Sequence, residues 1–141
     1  MNSIFQRANP AIEKIFRDAG SPKKVICVPI DYAKRQHTAL VCNGKGEQMH
    51  GVFHIHNTPA GVEFVEDIIR GLCKKHSIPK ANAFFGGEDC SAIAFNFIHA
   101  MLQKGYVGIG LNARDAAAER TAMGVTAQHL TYLFVSTDLT P

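Results

Sequence analysis

Two apolar runs in this chain each finish on a carboxylate: VICVPID ends at Asp31 and NAFFGGE ends at Glu88. If both runs are parallel strands lying side by side, the two acids meet at one edge of a sheet. Neighbouring strands are ~4.8 Å apart, so side chains at their ends can share an ion. A carboxylate pair is a minimal start for holding Mg²⁺, a hard, oxygen-seeking cation. Two-metal centres of that kind activate an attacking oxygen and stabilise a leaving oxygen in phosphodiester chemistry. The plainer reading is that Asp31 begins a turn and Glu88 caps a helix. Spacing alone leaves that plainer reading slightly ahead.

Other residues offer weaker chemistry. Lys34 and Arg35 follow Asp31 directly and His37 is close behind. Such a cluster can touch phosphates beside a metal site, or be a solvated turn. His50, His54 and His56 alternate along one segment, where i and i+2 share a face and could ligate a metal. No cysteine or acid partners them, so an exposed strand face is the better reading. Asp89 is placed to cap a helix. Phe84-Phe85-Gly86-Gly87 lacks the lysine that a P-loop needs at Walker spacing. No G-x-S-x-G elbow or Cys-His nucleophile pair is present. Arg114 and Arg120 flank a helix start, facing either nucleic acid or solvent.

The elements that must carry these residues are legible from periodicity and punctuation. Residues 9 to 20 read as a short helix, with Asn9 as cap, Pro10 at its first position and Ile12, Ile15, Phe16 and Ala19 on one face. Gly20 ends it. Residues 24 to 31 form a first strand, apolar on both faces, as suits a central strand. Pro29 removes a ladder donor there, which a bulge near the strand end would accommodate. Residues 37 to 43 and 48 to 56 form a hairpin around Asn43-Gly44. On its second strand, Met49, Gly51, Phe53 and Ile55 face one way, and His50, Val52, His54 and His56 the other.

Thr58-Pro59 opens a helix with Val62, Val65, Ile68, Ile69 and Leu72 as its buried stripe and Lys74, Lys75 and His76 at its carboxyl end. Residues 82 to 88 form a fourth strand. A helix from about Ser91 to Lys104 follows, with Ile93, Phe97, Ile98 and Met101 inward. Residues 106 to 111 form a fifth strand, and Asn112 caps a helix beginning at Ala113. The order β-β-β-α-β-α-β-α predicts a mixed five-stranded sheet with helices on both faces.

Composition bounds the rest. The 141 residues suit one domain, with 46% apolar and 19% charged residues as in ordinary globular proteins. No apolar stretch approaches the ~20 residues of a membrane span, and the first residues show no signal-peptide pattern. A cytoplasmic location is the expectation. The four cysteines form no C-x-x-C pair, and Cys27 and Cys42 read as small buried hydrophobes. The formal charge of +3 permits a phosphate-bearing partner without demanding one.

Four ordered landmarks resemble one family. Ile30-Asp31-Tyr32-Ala33-Lys34 with His37-Thr38 is similar to the opening "G-I-D-V-A-K-x-x-H" of DEDD-type insertion-sequence transposases of the one-hundred-and-ten family. Asn57-Thr58-Pro59-Ala60-Gly61 resembles its "N-T-P-E-G" helix start. Gly87-Glu88-Asp89 falls where that family has "M-E-A-T-G", and Leu111-Asn112-Ala113-Arg114 resembles its "V-N-P-x-x" segment. The landmarks cover roughly residues 24 to 120.

The resemblance implies an RNase H-like fold and Mg²⁺-dependent DNA strand cleavage and rejoining. Asp31 and Glu88 match the first two acids of the family's metal site, and Lys34, Arg35, His37, Arg114 and Arg120 become the nucleic-acid contacts. DNA, a guide RNA from the same element and further copies of the full-length protein are the implied partners. The resemblance divides the chain into a helical extension over 1–22, an RNase H-like domain over 23–120 and a divergent tail over 121–141.

The chain departs from the pattern after Arg120. The family's "K-T-D-x-x-D-A" motif has no D-x-x-D counterpart, and Asp138 in Ser136-Thr137-Asp138 is only a weak match to its first acid. An incomplete acid set is expected to bind metal weakly and not to catalyse. The reading is therefore a transposase amino-terminal domain, truncated or interrupted. The alternative is an inactive remnant that binds nucleic acid or a transposase protomer. A sugar-kinase-like fold would need glycines just after the first strand, where Tyr32-Ala33-Lys34-Arg35 stands.

Overall fold

The structure is a computed structural model and describes residues 10–88 and 91–111. Its elements are α1 (Pro10–Ala19), β1 (Ile26–Asp31), β2 (Gln36–Asn43), β3 (Gln48–His56), α2 (Pro59–His76), β4 (Ala83–Glu88), α3 (Ser91–Gln103) and β5 (Val107–Leu111). The strands form one sheet in the order β3-β2-β1-β4-β5. β1–β2 and β2–β3 are antiparallel, and β1–β4 and β4–β5 are parallel. This is the expected mixed α/β sheet, in a layout compatible with an RNase H-like fold. The helix expected from Ala113 lies outside the described residues, as do the Asn9, Asp89 and Asn112 caps.

Two cores sandwich the sheet. On one face, Ile26, Val28 and Ile30 of β1, Phe53 and Ile55 of β3, and Phe85 of β4 pack under α2 and α3. On the other, Cys27, Leu40, Cys42 and Phe84 pack with Ile12 and Ile15 of α1. The alternation of β1 between the two cores explains its apolar character at every position. Cys27 and Cys42 sit opposite each other across the β1–β2 ladder, both buried and reduced. Burial, reinforced by Cys42, raises the Cys27 pKa and keeps its thiol protonated.

Three local expectations need correction. β1 begins at Ile26 because Pro22–Lys24 forms a 3₁₀ turn capped by the Ser21 hydroxyl. Pro29 is accommodated without a bulge. The β1–β2 register is the same before it (Cys27 with Cys42) and after it (Ile30 with Ala39), while Pro29 itself aligns with Gly86 of β4. The hairpin is not a tight two-residue turn. Asn43 Oδ1 accepts from the backbone of Lys45 (2.9 Å) and Glu47 (3.1 Å), and the positive φ falls at Gly46. Gly44 is needed for space, since a Cβ there would lie 2.6 Å from the Pro22 carbonyl oxygen.

Register shifts between Ala39 and Val41 and between Val41 and Cys42 break the alternation of β3. The His50 ring consequently lies edge-on against Phe53, 5.1 Å between centroids. In α3 the inward face is Ala94, Phe97 and Met101, with Ile98 partly buried, whereas Ile93 is 44% exposed. Ile93 lies one helical position off the buried stripe.

The buried stripe of α2 contains one charge that hydrophobic periodicity passes over. Glu66 lies between Val62 and Ile69 and is buried. Its carboxylate meets Lys80 Nζ at 3.1 Å and Lys104 Nζ at 3.2 Å, and Lys104 also reaches Glu63. Lys80 Nζ donates to the Lys104 carbonyl and sits 4.5 Å over the Tyr106 ring. The cluster ties α2 to the turns that lead into β4 and β5. Burial pushes the Glu66 carboxyl up, but the hydrogen bonds from Lys80 and Lys104 outweigh it and hold the pKa below the usual carboxylate range.

A depressed carboxylate pKa contributes stability above its unfolded value of about 4.3 and loses it as pH falls through the folded value. Glu66→Gln is therefore expected to lower stability at pH 7 by about 1–3 kcal/mol. The gap from wild type should close as pH is lowered below about 4. Urea denaturation across pH checks this, and a gap independent of pH would contradict it.

Candidate metal and nucleic-acid site

Asp31 is the last residue of β1 and Glu88 the last of β4. The β1–β4 register pairs Ile26 with Ala83, Cys27 with Phe84, Val28 with Phe85 and Pro29 with Gly86. Continued for two residues, that register sets Asp31 beside Glu88 on adjacent strands, about 4.8 Å apart in backbone spacing. Asp31 also pairs with Thr38 of β2, Thr38 with His54 of β3, and Glu88 with Leu111 of β5. One rung therefore crosses the whole sheet at its carboxyl edge.

Strand alternation sends both carboxylates to the face that carries α1, away from α2 and α3. Asp31 is exposed and Glu88 half-buried. On the same face Thr38 Oγ1 and His54 Nδ1 are 3.3 Å apart.

Gly86 and Gly87 explain how β4 delivers Glu88. A Cβ at Gly86 would lie 2.0 Å from the Ile109 carbonyl oxygen, and one at Gly87 would lie 2.0 Å from that of Ile30. Neither position has room for a side chain, so β4 packs closely between β5 and β1 just before its acid. The glycine pair is a packing device for the strand end, consistent with the absence of a P-loop.

The segment after Asp31 is held by Asn57. Its Nδ2 donates to the carbonyls of Lys34 (3.1 Å) and Ile93 (3.2 Å), and its backbone N–H donates to Arg35 O (3.0 Å). One side chain thus joins the β1–β2 loop, the start of α2 and the first turn of α3. Thr58 then caps α2, its hydroxyl accepting from Gly61 N–H at 3.2 Å, and Pro59 takes the first turn. Gly61 is dictated by space: a Cβ would lie 1.9 Å from His56 O. Every defining residue of the Asn57-Thr58-Pro59-Ala60-Gly61 string has a local structural role.

Lys34 and Arg35 are exposed beside Asp31, where their side chains can reach a phosphate. His37 does not belong with them. It is fully buried, between Tyr32 (5.4 Å between centroids) and Phe97 (5.0 Å). Its Nδ1 accepts from Ala33 N–H at 3.1 Å. Burial lowers its pKa, against the opposing pull of Asn57 and of the Asp31 charge. It packs the loop from within and presents nothing to a phosphate. Two residues after a charged pair, it carried no periodic signal to mark it as core.

Arg114, Arg120 and Asp138 lie outside the described residues. Among the described residues, no group of three or more His, Cys, Asp and Glu side chains is placed to hold a metal ion. The Asp31–Glu88 pair fits a cation such as Mg²⁺, which commonly takes one or two carboxylates and completes its shell with water and substrate phosphates. None of the described helices is long and apolar enough to cross a membrane.

Comparison with protein-family models and with curated protein sequences finds no match for the chain.

The close approach at Gly87 makes a direct prediction. Gly87→Ala is expected to destabilise the protein by about 2–3 kcal/mol, the cost of overpacking a rigid backbone contact. The control Gly71→Ala, on an exposed helical surface with open space around it, should be neutral or slightly stabilising. Equal thermal melting shifts for the two variants would refute this account of β4.

Proposed function

We propose that the chain is the amino-terminal, RNase H-like domain of a DNA transposase or recombinase, with Asp31 and Glu88 as two of its metal ligands. The observation that carries this reading is the unshifted β1–β4 register from Ile26–Ala83 to Pro29–Gly86, whose continuation by two residues sets the two acids on one rung at the carboxyl edge of the sheet. The ordered sequence landmarks around both acids point the same way.

In this reading the two carboxylates accept a divalent cation on the α1 face, beyond the end of the sheet. Mg²⁺ bound there would polarise a phosphodiester and lower the pKa of a coordinated water. Lys34 and Arg35 hold flanking phosphates, their backbone pinned by Asn57. Thr38 and His54 continue the same rung and offer polar contacts to a strand passing across it. A cytoplasmic location and DNA as substrate belong to the same proposal.

A second reading is binding without cleavage, in which this chain engages nucleic acid or a transposase protomer. It is favoured by the described residues, among which no group of three or more His, Cys, Asp and Glu side chains could hold a metal ion.

Metal binding separates the site from its activity. Mn²⁺ titrated into the protein is expected to broaden the amide resonances around residues 31 and 88 selectively. Asp31→Asn together with Glu88→Gln should abolish that effect. Undiminished local broadening in the double variant would sink the metal-ligand assignment. If the wild type binds metal, Mg²⁺-dependent nicking of supercoiled DNA by a longer chain that supplies the remaining acids supports the first reading. DNA binding without nicking by that longer chain supports the second.

A further inference from the structure

The pole of the sheet opposite Asp31 and Glu88 concentrates positive charge. Three separate pieces of chain arrive there: the 3₁₀ turn before β1, the β2–β3 hairpin and the carboxyl end of α2. They bring Lys23 and Lys24, Lys45, and Lys74 with Lys75, all exposed. The topology enforces this meeting, because β1 starts where the hairpin turns and where α2 ends. A concave slot of about 510 Å³ lies between them, lined in part by Lys23, Lys24, Lys75 and His76.

The acids nearby offset this charge only in part. Glu47 is the carboxylate of the hairpin; its Oε1 accepts from Asn43 Nδ2 at 2.8 Å, and the Lys23 and Lys45 charges also favour its ionised form. Glu63 and Glu66 are already engaged by Lys80 and Lys104. Five lysines against one glutamate exceed the formal charge of the whole chain, +3, so the rest of the chain is close to neutral in formal charge.

Complementing the α2 dipole accounts for Lys74 and Lys75. It does not account for Lys23 or Lys45, which belong to other elements. Lys24 serves the fold, since its Nζ donates to His76 O at 2.9 Å and ties the turn to the end of α2. That leaves Lys23 and Lys75 as cations on two rims of the slot, with Lys45 exposed on the hairpin that supplies Asn43 to its lining.

We propose that this basic pole binds the phosphodiester backbone of a nucleic acid. The site is distinct from the acid pair: β1 alone separates the two by about 17–20 Å, six residues at 3.3 Å each. Spaced cations around a concavity suit a row of phosphates. The slot has no Phe, Tyr or Trp among its lining residues, so it reads mainly backbone charge and not base identity. The proposal does not depend on metal binding at Asp31 and Glu88.

Fluorescence anisotropy with a short labelled DNA duplex and with an RNA hairpin, both in EDTA, tests it. The wild type is expected to bind at least one probe at low salt, with similar affinity for unrelated sequences. The arm that binds more tightly identifies the source of the phosphates. Changing Lys23, Lys45 and Lys75 together to Glu should weaken binding on every sequence. On DNA duplex the salt dependence should become shallower by roughly 0.9 in log–log slope for each lysine that contacted a phosphate. The triple Lys→Gln variant should lie between the two, and retained far-UV circular dichroism and melting temperature certify the fold.

Asp31→Asn with Glu88→Gln should bind as the wild type does in EDTA. Three results would overturn the proposal: no binding of either probe at low salt, binding unchanged by the triple reversal, or binding lost only when Lys34 and Arg35 are reversed. The last result would leave the proposed function standing and move the contact to the acid edge.

Discussion

The tight parallel pairing of β4 against β1 is the constraint on which the rest depends. β4 is the strand through which the antiparallel β3-β2-β1 meander is joined to β5. Two consecutive glycines let it approach its neighbours where any Cβ would strike a carbonyl oxygen. Pro29 faces the first of them in the register, so the segment of β1 that lacks a ladder donor is matched by a segment of β4 that lacks side chains. A slip of one residue would move Glu88 off the rung of Asp31 and send it to the other face. The carboxylate pair is therefore a consequence of packing, built by residues that themselves carry no chemistry.

Much of this was legible in the sequence. β1, α2 and β4 stood out because apolar runs, caps and helix period agree with one another there, and agreement across levels is what specifies a structure. The order of elements then implied that β4 could lie beside β1. The illegible parts share a physical cause: tertiary contacts that override local pattern. His37 follows Lys34 and Arg35 and looks solvated, yet Tyr32 and Phe97 enclose it. Ile93 looks like core, yet the stripe of α3 runs through Ala94 and Phe97 instead. His50 left its expected face because register shifts in the hairpin are not visible in a period-two pattern. Glu66 could have been found from its position, four residues after Val62 and three before Ile69. An acid at that spacing inside an apolar stripe requires a cationic partner.

Charge is divided between the two ends of the sheet. The one buried carboxylate of α2 is met by two lysines that come from different turns, so it fastens α2 to the approaches of β4 and β5. That removes Lys80 and Lys104 from the free positive surface and leaves the lysines of the hairpin, the first turn and the α2 terminus in excess over the acids near them. The acids at the far end of the sheet then face a different environment. The lysine-rich pole thus lies at one end of the strands, and the carboxylate pair, flanked by the exposed Lys34 and Arg35, at the other.

The Asn57-Thr58-Pro59 string is explained by structure without any chemical role. Asn57 holds the carbonyls of Lys34 and Ile93, Thr58 caps α2, and Gly61 clears the His56 carbonyl. They fix the loop that leaves Asp31 and the helix that follows Glu88, so the geometry of the pair is set from both sides by groups that would be silent in any test of chemistry. The string is therefore evidence about where the rung must be, and Asp31 and Glu88 alone are evidence about what it does.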